Sequence, residues 1–471
     1  MYDYKIYIYG DYCVKIKKIR NNKNFLTQRS PTEVLIIGFA VLIFFGAFLL
    51  TLPISSRSGE WTSFINAFFT ATSSVCVTGL VVVDTGTYWS VFGQIAIICL
   101  VEVGGVGFMS FATMFFVMAG KRITIKDRIL IQSSVNMDSL SGIVKFAKYI
   151  FFSSFIIQGI GAVLLAIVFI PEFGLLTGIG YSVFHSVASF CNAGFDIMGN
   201  YSSLTRYVDN YLVNFVICAL IIIGGLGFAV TSDLFYVRKF KKMSMHSKLV
   251  LTITGILLVI GFVFFFIFEF NNPKTMGNLS WHGKFLASLF QAITPRTAGF
   301  NTVDTAGLTI PSIFLTMLLM FVGASPGSTG GGIKTTTMGI IVLTVASVLQ
   351  GKKDVVAFKR TILGPLIRRA ISIFVIAAGL VIFMIFVLLC TEPGVAFESV
   401  VFEVLSAFGT VGLTMGLTPH LSVGGKIAIS LTMFIGRLGP LTIAYAIARS
   451  EKHLRENVGN FTLPEGNVMI G

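Results

Sequence analysis

Charged residues are scarce in this sequence. Asp, Glu, Lys and Arg make up 12% of its 471 residues, whereas soluble globular proteins carry about 25%. Hydrophobic residues account for 55% and the mean hydropathy is +0.86, so the composition excludes a soluble protein and indicates an integral membrane protein. The formal net charge of +14 comes with no soluble basic domain, and we therefore expect no nucleic-acid partner.

Patterns that hold metals or covalent cofactors are also lacking. The six cysteines and five histidines form no Cys-x-x-Cys or His-x-x-x-His pair. We interpret the cysteines as small core residues, and we expect no metal centre and no covalent cofactor. A membrane enzyme would need titratable residues that converge within the membrane, but Glu102, Asp233 and Arg437 lie in different parts of the sequence. We predict that the protein is not an enzyme.

Long apolar runs are abundant. A helix needs about 20 apolar residues to cross a bilayer, and eight runs qualify, of which the sixth is interrupted. Lys and Arg collect in the amino-terminal tail and after every second run, which predicts that both termini are cytoplasmic. We expect a multi-pass plasma-membrane protein in contact with lipid. The candidate spans are 33–53, 90–119, 146–170, 211–236, 248–270, 310–349, 369–391 and 424–448.

The four outer segments share one pattern. Each runs from a phenylalanine to a glycine: FTATSSVCVTG, FHSVASFCNAG, FQAITPRTAG and FEVLSAFGTVG. Such repetition predicts four copies of one unit, made of a span, a short apolar segment, a glycine loop and a second span. We expect an all-α polytopic fold with eight spans and four re-entrant pore helices around one central pore. The predicted divisions are a basic cytoplasmic tail at 1–32, repeats at 33–120, 121–240, 241–352 and 353–448, and a cytoplasmic tail at 449–471.

The glycine-ended segments suit the binding of a monovalent cation. A helix of roughly 10–13 residues cannot cross about 30 Å of hydrocarbon, so each segment should be re-entrant and aim its partly negative carboxyl end at a shared centre. Carbonyl oxygens there would replace the hydration shell of the ion, and glycine adopts the backbone angles that this requires. None of the candidate filter residues is charged. They are Val77, Thr78, Gly79, Asn192, Ala193, Gly194, Thr297, Ala298, Gly299, Thr410, Val411 and Gly412.

The sixth span is interrupted by a glycine-rich segment. Apolar runs at 310–322 and 338–349 flank the letters GASPGSTGGGIKTTT, and each run is too short to cross the membrane alone. Ile333 separates the last glycine from Lys334, which breaks the phosphate-binding pattern G-x-x-x-x-G-K-[ST]. We predict a flexible loop that lines the conduction cavity, with an irregular kink as the alternative.

Arg437 lies near the middle of the last candidate span. A charge at that depth costs roughly 2.5–3.5 kcal/mol, so the side chain should face the protein interior. One interpretation is that Arg437 repels cations or anchors the glycine-rich loop. The other is an ion pair with Glu102 or Asp233.

Six motifs resemble those of the Trk/Ktr/HKT superfamily of potassium transporters over roughly residues 33–448: CVTGL, CNAGF, TAGFNT, TVGLT, GSTGGGIKT and GRLGP. The chain looks most like the Ktr-type membrane subunit (KtrB). The resemblance implies a K⁺ uptake subunit with a four-glycine selectivity filter, and a glycine rather than a serine at Gly79 favours K⁺ over Na⁺. It also implies that the glycine-rich loop is an intramembrane gate. The candidate gate residues are Gly323, Ser325, Gly327, Ser328, Thr329, Gly330, Gly331, Gly332, Lys334 and Arg437.

The resemblance further implies partners. Ktr-type subunits form homodimers with one pore per chain, and they bind a cytosolic ring of nucleotide-binding RCK-type regulatory subunits. Na⁺ as an activator stays open, as do two alternatives: a secondary active cation symporter of the TrkH type, and a sodium-permeable HKT-like transporter.

Overall fold

A computed structural model describes residues 6–9, 12–15, 31–118, 128–129, 132 and 142–439. Most of the predicted amino-terminal tail, the junction of the first two predicted repeats, the end of the eighth predicted span and the carboxyl-terminal tail at 449–471 lie outside the described residues.

Four long helices follow one another along the chain. Among the described residues, these four are the unbroken helices that are each long and apolar enough to cross a membrane. Phe44, Phe48 and Phe383 on them are each more than half exposed, as suits a surface that faces lipid. The long helices are Pro31–Thr51, Ile143–Phe173, Met245–Glu269 and Gly364–Thr391.

A shorter helix follows each long one. These helices have 12 to 16 residues, or roughly 18–24 Å, which is less than the hydrocarbon thickness. The phenylalanines that open the four sequence repeats, Phe69, Phe184, Phe290 and Phe402, lie on them and are buried, so the repeated letter marks the core-facing side. We call them the pore helices: Phe64–Val75, Leu175–Phe190, Trp281–Ile293 and Phe397–Gly409.

The helices that come next, here called the return helices, are all divided or end at a glycine. The sequence predicted an interruption only in the sixth span, but the first two return helices also break, at Gly107 and Gly227, where φ is 89° and 91°. The second break bends the chain by 104°. Such φ values favour glycine, and a right-handed helix cannot continue through them. The pieces are Val91–Val106 and Phe108–Met118, Tyr211–Leu226 and Phe228–Tyr236, Ile310–Phe321 and Thr335–Leu349, and Val423–Leu438, which ends at Gly439 with φ 87°.

Smaller elements complete the described chain. Two antiparallel hairpins depart from the all-α prediction: strands Ile6–Tyr9 and Tyr12–Lys15, with Ile6 opposite Lys15, and strands Val356–Ala357 and Arg360–Thr361. The first hairpin falls within the predicted amino-terminal tail. Single helical turns lie at Pro53–Ser55, Thr85–Tyr88, Thr205–Tyr207, Phe240–Lys242 and Thr418–His420.

Carboxylates join the end of a long helix to the start of the matching return helix. Glu269 accepts hydrogen bonds from the backbone N–H of Thr309 at 2.9 Å and from its hydroxyl at 2.7 Å. Glu392 accepts one from the N–H of Ser422 at 2.9 Å. The first amides of a helix have no partner within the helix, so these acids stabilise the third and fourth return helices at the same place.

Candidate ion-binding ring and the loop beside it

Each pore helix ends in a loop with an unusual alternation of backbone angles. The glycine and the residue two positions before it both have positive φ, whereas the residue between them does not. Neighbouring carbonyls of an extended chain point to opposite sides, and alternation of this kind turns them towards the same side. The paired φ values are 58° and 91° for Val77 and Gly79, 58° and 66° for Asn192 and Gly194, 71° and 81° for Thr297 and Gly299, and 50° and 94° for Thr410 and Gly412.

The four glycines form a closed ring. A Cβ atom added to Gly194 would lie 2.8 Å from the carbonyl oxygen of Ala298 and 2.8 Å from Cα of Gly299. A Cβ on Gly299 would lie 3.3 Å from Cα of Gly412, and one on Gly412 would lie 3.1 Å from Cα of Gly79. These approaches leave little or no room for a side chain. The chain therefore brings all four predicted loops together, in the order in which they occur in the sequence.

Backbone and side-chain hydrogen bonds hold the loop amides away from the ring. The amide of Thr78 donates to the carbonyl of Ser73 at 2.8 Å, and the amide of Gly79 donates to the Ser73 hydroxyl at 3.0 Å. Ser406 does the same for the fourth loop: Val411 donates to its carbonyl at 2.8 Å and Gly412 to its hydroxyl at 3.1 Å. Neither serine was among the residues predicted from the sequence. Their shared position, six residues before the glycine, is the signal that could have found them.

The second and third loops are joined to each other. The side-chain amide of Asn192 and the hydroxyl of Thr297 are hydrogen-bonded at 3.0 Å in either orientation of the amide. The third loop is one residue shorter than the others, and its Ala298 amide donates to the carbonyl four residues back, on Thr294, at 3.0 Å. In the first, second and fourth loops the matching amide reaches five residues back. This shorter turn absorbs the deletion, so the third glycine still reaches the ring.

Glycines of the return helices fit against the ends of the pore helices. A Cβ on Gly104 would overlap the carbonyl oxygen of Val75, and a Cβ on Gly224 or Gly436 would overlap the matching carbonyl of Phe190 or Phe408. The repeated motifs GGVGF, GGLGF and GRLGP therefore have a packing role as well as the helix break described above. Small residues at these points let two backbones touch.

The glycine-rich segment, residues 322–334, lies against the ring and is here called the loop of the third repeat. Its Gly331 amide donates to the Thr410 hydroxyl at 2.9 Å, and a Cβ on Gly330 would overlap the Thr297 hydroxyl. On another side the amides of Ser325 and Thr329 donate to the carbonyls of Gly225 at 3.1 Å and Gly224 at 3.3 Å. The loop thus contacts two filter loops and the broken second return helix.

Two half-buried cations hold this loop through its carbonyl oxygens. Lys334 donates from Nζ to the carbonyl of Gly330 at 2.7 Å. Arg437 donates from Nη1 to the carbonyl of Thr329, and from Nη2 to the carbonyls of Gly104 and Gly105, the latter at 3.2 Å. The break at Gly107 removes the normal helical donors to these last carbonyls, which leaves them free to accept from the guanidinium.

The alternative partners considered for Arg437 are occupied elsewhere. Glu102 accepts hydrogen bonds from Gln158 and Cys191, and Asp233 accepts from Ser244 and Ser247. In the structure Arg437 is satisfied by backbone carbonyls that belong to two different repeats.

Acids that follow the glycines of the first two loops in the sequence are held by backbone amides. Asp84 accepts from the amides of Thr87 at 2.8 Å and Tyr201 at 3.0 Å, and Asp196 accepts from the amide of Met198 at 3.0 Å. Burial raises the pKa of the Asp196 carboxyl to about 7, the bond from Met198 lowers it, and the charge of Asp84 raises it. These acids order the segments that follow the first two glycines.

Together, the long apolar helices and the ring of four glycine loops define a polytopic membrane protein with a candidate site for a dehydrated cation. Comparisons with known proteins agree with this class. The sequence model of the TrkH family, described as a cation transport protein, matches residues 12–457. The potassium/sodium uptake protein NtpJ of Enterococcus hirae is 44% identical over 445 residues, which cover 94% of this chain and 97% of that protein.

Two further similarities extend the comparison. The Ktr system potassium uptake protein B of Bacillus subtilis is 44% identical over 442 residues, covering 94% of this chain and 97% of that protein. The crystal structure of the potassium transporter TrkH from Vibrio parahaemolyticus matches with a TM-score of 0.70 at 18% identity, covering 91% of this chain and 86% of that one. The structural likeness shows a mostly helical, polytopic membrane fold.

The chain belongs to the TrkH family of cation transport proteins, because the family model covers most of it and two relatives share 44% identity over nearly its full length. The resemblance found in the sequence is thereby confirmed. The family consists of transporters, so the prediction that the chain is not an enzyme is confirmed as well.

Proposed function

We propose that the chain moves K⁺ into the cell through a selectivity filter made of carbonyl oxygens from four loops. The closed ring of Gly79, Gly194, Gly299 and Gly412 is the observation that carries this proposal. The twelve filter residues proposed from the sequence include no charge. A neutral carbonyl site suits a monovalent cation that sheds its water.

The architecture that serves this function has eight spans and four re-entrant pore helices around one pore, with repeats at 33–120, 121–240, 241–352 and 353–448. The fourfold order of long helix, pore helix and broken return helix supports it, as does the length of the pore helices. The return helices are then counted as single spans in spite of their breaks. The positions of Lys and Arg in the sequence support a plasma-membrane protein with both termini in the cytoplasm.

The loop of the third repeat is the gate in this proposal. It lies against the Thr297 and Thr410 side chains of two filter loops, so an ion that leaves the ring must pass it. Lys334 and Arg437 hold it closed by binding its carbonyl oxygens. Their positive charges also repel a cation that waits at the ring.

Partners of the chain follow from its relatives. Bacillus subtilis and Vibrio alginolyticus relatives are named as uptake proteins of a Ktr system, which supports a homodimer on a cytosolic ring of nucleotide-binding RCK-type regulatory subunits. Exposed basic residues next to the second hairpin offer a surface for such subunits. They are Lys352, Lys353, Lys359, Arg360 and Arg368.

Both K⁺ and Na⁺ bear on this function. The Enterococcus relative is named for potassium and sodium uptake, which keeps a role for Na⁺, as activator or as second substrate, beside K⁺. Glycine in all four loops favours K⁺ as the ion that the filter prefers. A sodium-permeable transporter and a secondary active symporter are the alternatives.

Uptake of K⁺ and Na⁺ by cells that lack their own potassium systems tests the filter. Gly79→Ser and Gly299→Ser should lower the K⁺/Na⁺ preference by about 5- to 30-fold, because each adds a side chain at positive φ and at the ring. Gly59→Ser is the matched control, since Gly59 has φ 73° but nothing within 4 Å of an added Cβ. An unchanged preference in both ring variants, at normal expression, contradicts the proposal.

A further inference from the structure

A buried carboxyl group lies behind the second filter loop. Glu102 belongs to the first return helix, Val91–Val106, and is 8% exposed. Its Oε2 accepts a hydrogen bond from Nε2 of Gln158 at 2.8 Å and from the thiol of Cys191 at 3.1 Å. Its Oε1 has no hydrogen-bond partner among the described residues. A carboxyl group is costly to bury.

The thiol partner is the residue that directly precedes the filter. Cys191 comes immediately before Asn192 and is fully buried, and a Cβ on Gly105 would lie 2.8 Å from its sulfur. The matching positions in the other three loops are Cys76, Arg296 and Gly409. The bond to Glu102 therefore joins the second filter loop to the return helix of the first repeat.

The same helical turn anchors the loop of the third repeat. Glu102 is followed by Gly104 and Gly105, whose carbonyls accept from Arg437, and Arg437 in turn donates to the carbonyl of Thr329. One turn of the first return helix thus carries the acceptor for the filter loop and the acceptors for the residue that holds the proposed gate.

The backbone of the second filter loop needs such support. Asn192 has φ 58°, a left-handed angle that costs most residues with a side chain roughly 1–2 kcal/mol and costs asparagine less. Such angles persist only where the surroundings hold them. Cys191 supplies a fixed point on one side of Asn192, and the bond to Thr297 supplies one on the other.

We infer that Glu102 is a positioning residue for ion selectivity: through the Cys191 thiol it fixes the second filter loop, and it ties that loop to the helical turn that anchors Arg437. This inference rests on the proposed filter. It assigns no ion contact to Glu102, which acts through the position of the Asn192 and Ala193 carbonyls.

The test uses the purified full chain in proteoliposomes, with K⁺ and Na⁺ fluxes measured for each variant. Glu102→Met, which removes the acceptor, and Cys191→Ala, which removes the donor, should each lower the K⁺/Na⁺ flux ratio by about three- to tenfold, the range expected for one hydrogen bond. Glu102→Gln and Cys191→Ser retain an acceptor and a donor, and their ratios should lie closer to wild type. The double variant Glu102→Met with Cys191→Ala should be no worse than either single variant, because both remove the same bond.

Two further variants separate the possible failures. Gly194→Ser alters the ring itself; if it leaves the ratio unchanged, the proposed filter is wrong. If Gly194→Ser shifts the ratio whereas Glu102→Met and Cys191→Ala do not, only the inference about Glu102 is wrong. Glu269→Met removes another buried carboxyl, whose hydrogen-bond partners Asn272, Thr275 and Thr309 are not residues of the proposed filter. It should lower the melting temperature without changing the ratio; a changed ratio in this control would mean that any buried acid matters, which also overturns the inference. Cys191→Ala tests the same bond should Glu102→Met yield no folded protein.

Discussion

The third repeat matches the other three at the ring of glycines but differs from them in its return helix. At the ring, its Thr297 and Gly299 have the same alternation of φ as the other loops, although its pore segment is one residue shorter. Among the return helices, the first and the second each break at one glycine, whereas residues 322–334 interrupt the third. One unit therefore keeps the common filter geometry while its return helix departs from the common pattern.

The difference follows from the tasks proposed for the ring of glycines and for the loop of the third repeat. In the proposed filter, four backbones that coordinate one ion must offer the same group at the same distance. The shortened third loop is corrected locally, because the Ala298 amide reaches Thr294 instead of a residue further back. The proposed gate needs only one obstacle. The loop of the third repeat supplies it, and Arg437, which also donates to the carbonyl of Gly104, holds the loop.

The largest effect should come from adding a side chain at the ring of glycines. Gly412→Ala places a Cβ against the Thr78 carbonyl and 3.1 Å from Cα of Gly79, so we expect K⁺ uptake to fall at least about tenfold and the K⁺/Na⁺ ratio to fall with it. Gly107→Ala carries similar backbone strain, at φ 89°, but nothing lies within 4 Å of the added Cβ. Ion uptake by both variants, at matched expression, checks the comparison. Equal losses of selectivity would contradict a special role for the ring.

A smaller effect should come from releasing the loop of the third repeat. Arg437→Gln removes charged hydrogen bonds to the carbonyls of Thr329, Gly104 and Gly105, and bonds to charged groups contribute about 1.5–3 kcal/mol each. We expect K⁺ flux through proteoliposomes to rise about tenfold while the K⁺/Na⁺ ratio stays near wild type.

A matched control for Arg437→Gln is Arg206→Gln. Arg206 forms an exposed ion pair with Glu172 at 2.9 Å in an outer loop, and exposed pairs contribute little, so its flux should not change. A fall in flux for Arg437→Gln, with a normal melting temperature, would mean that Arg437 supports the open path rather than the closed loop.

The ring loops and the return helices also differ in how far the sequence predicts them. The meeting of four similar loops was predictable because four similar segments occur in one chain, and each supports the register of the others. The breaks at Gly107 and Gly227 were not, since apolar residues continue on both sides and a span-length argument counts one helix. The recurrence of GGVGF and GGLGF was visible in the sequence, but packing alone explained it equally well.

Other parts of the site leave no mark on residue type. Arg437 binds backbone carbonyls, which every residue has, so the sequence offered only acidic partners such as Glu102 and Asp233. The bond between Glu102 and Cys191 joins two residues that are 89 positions apart and belong to different repeats. Such partners follow from the closed ring, which brings the end of one repeat against the next.

The smallest effect should come from removing the serine hydroxyls that accept from loop amides. It tests whether adjacent loops of the ring respond together or separately. Ser73→Ala and Ser406→Ala each remove one hydroxyl that accepts from a filter glycine, at 3.0 Å and 3.1 Å, and each should weaken K⁺ affinity by about two- to tenfold. Ser372→Ala is the control, because that hydroxyl bonds to a carbonyl of its own exposed helix. A Cβ on Gly412 would overlap the Thr78 carbonyl, so the first and fourth loops are in contact and the double variant should lose more than the product of the two single losses. Half-saturation for K⁺ measured in all four proteins decides this, and a simple product would show that adjacent loops of the ring adjust separately.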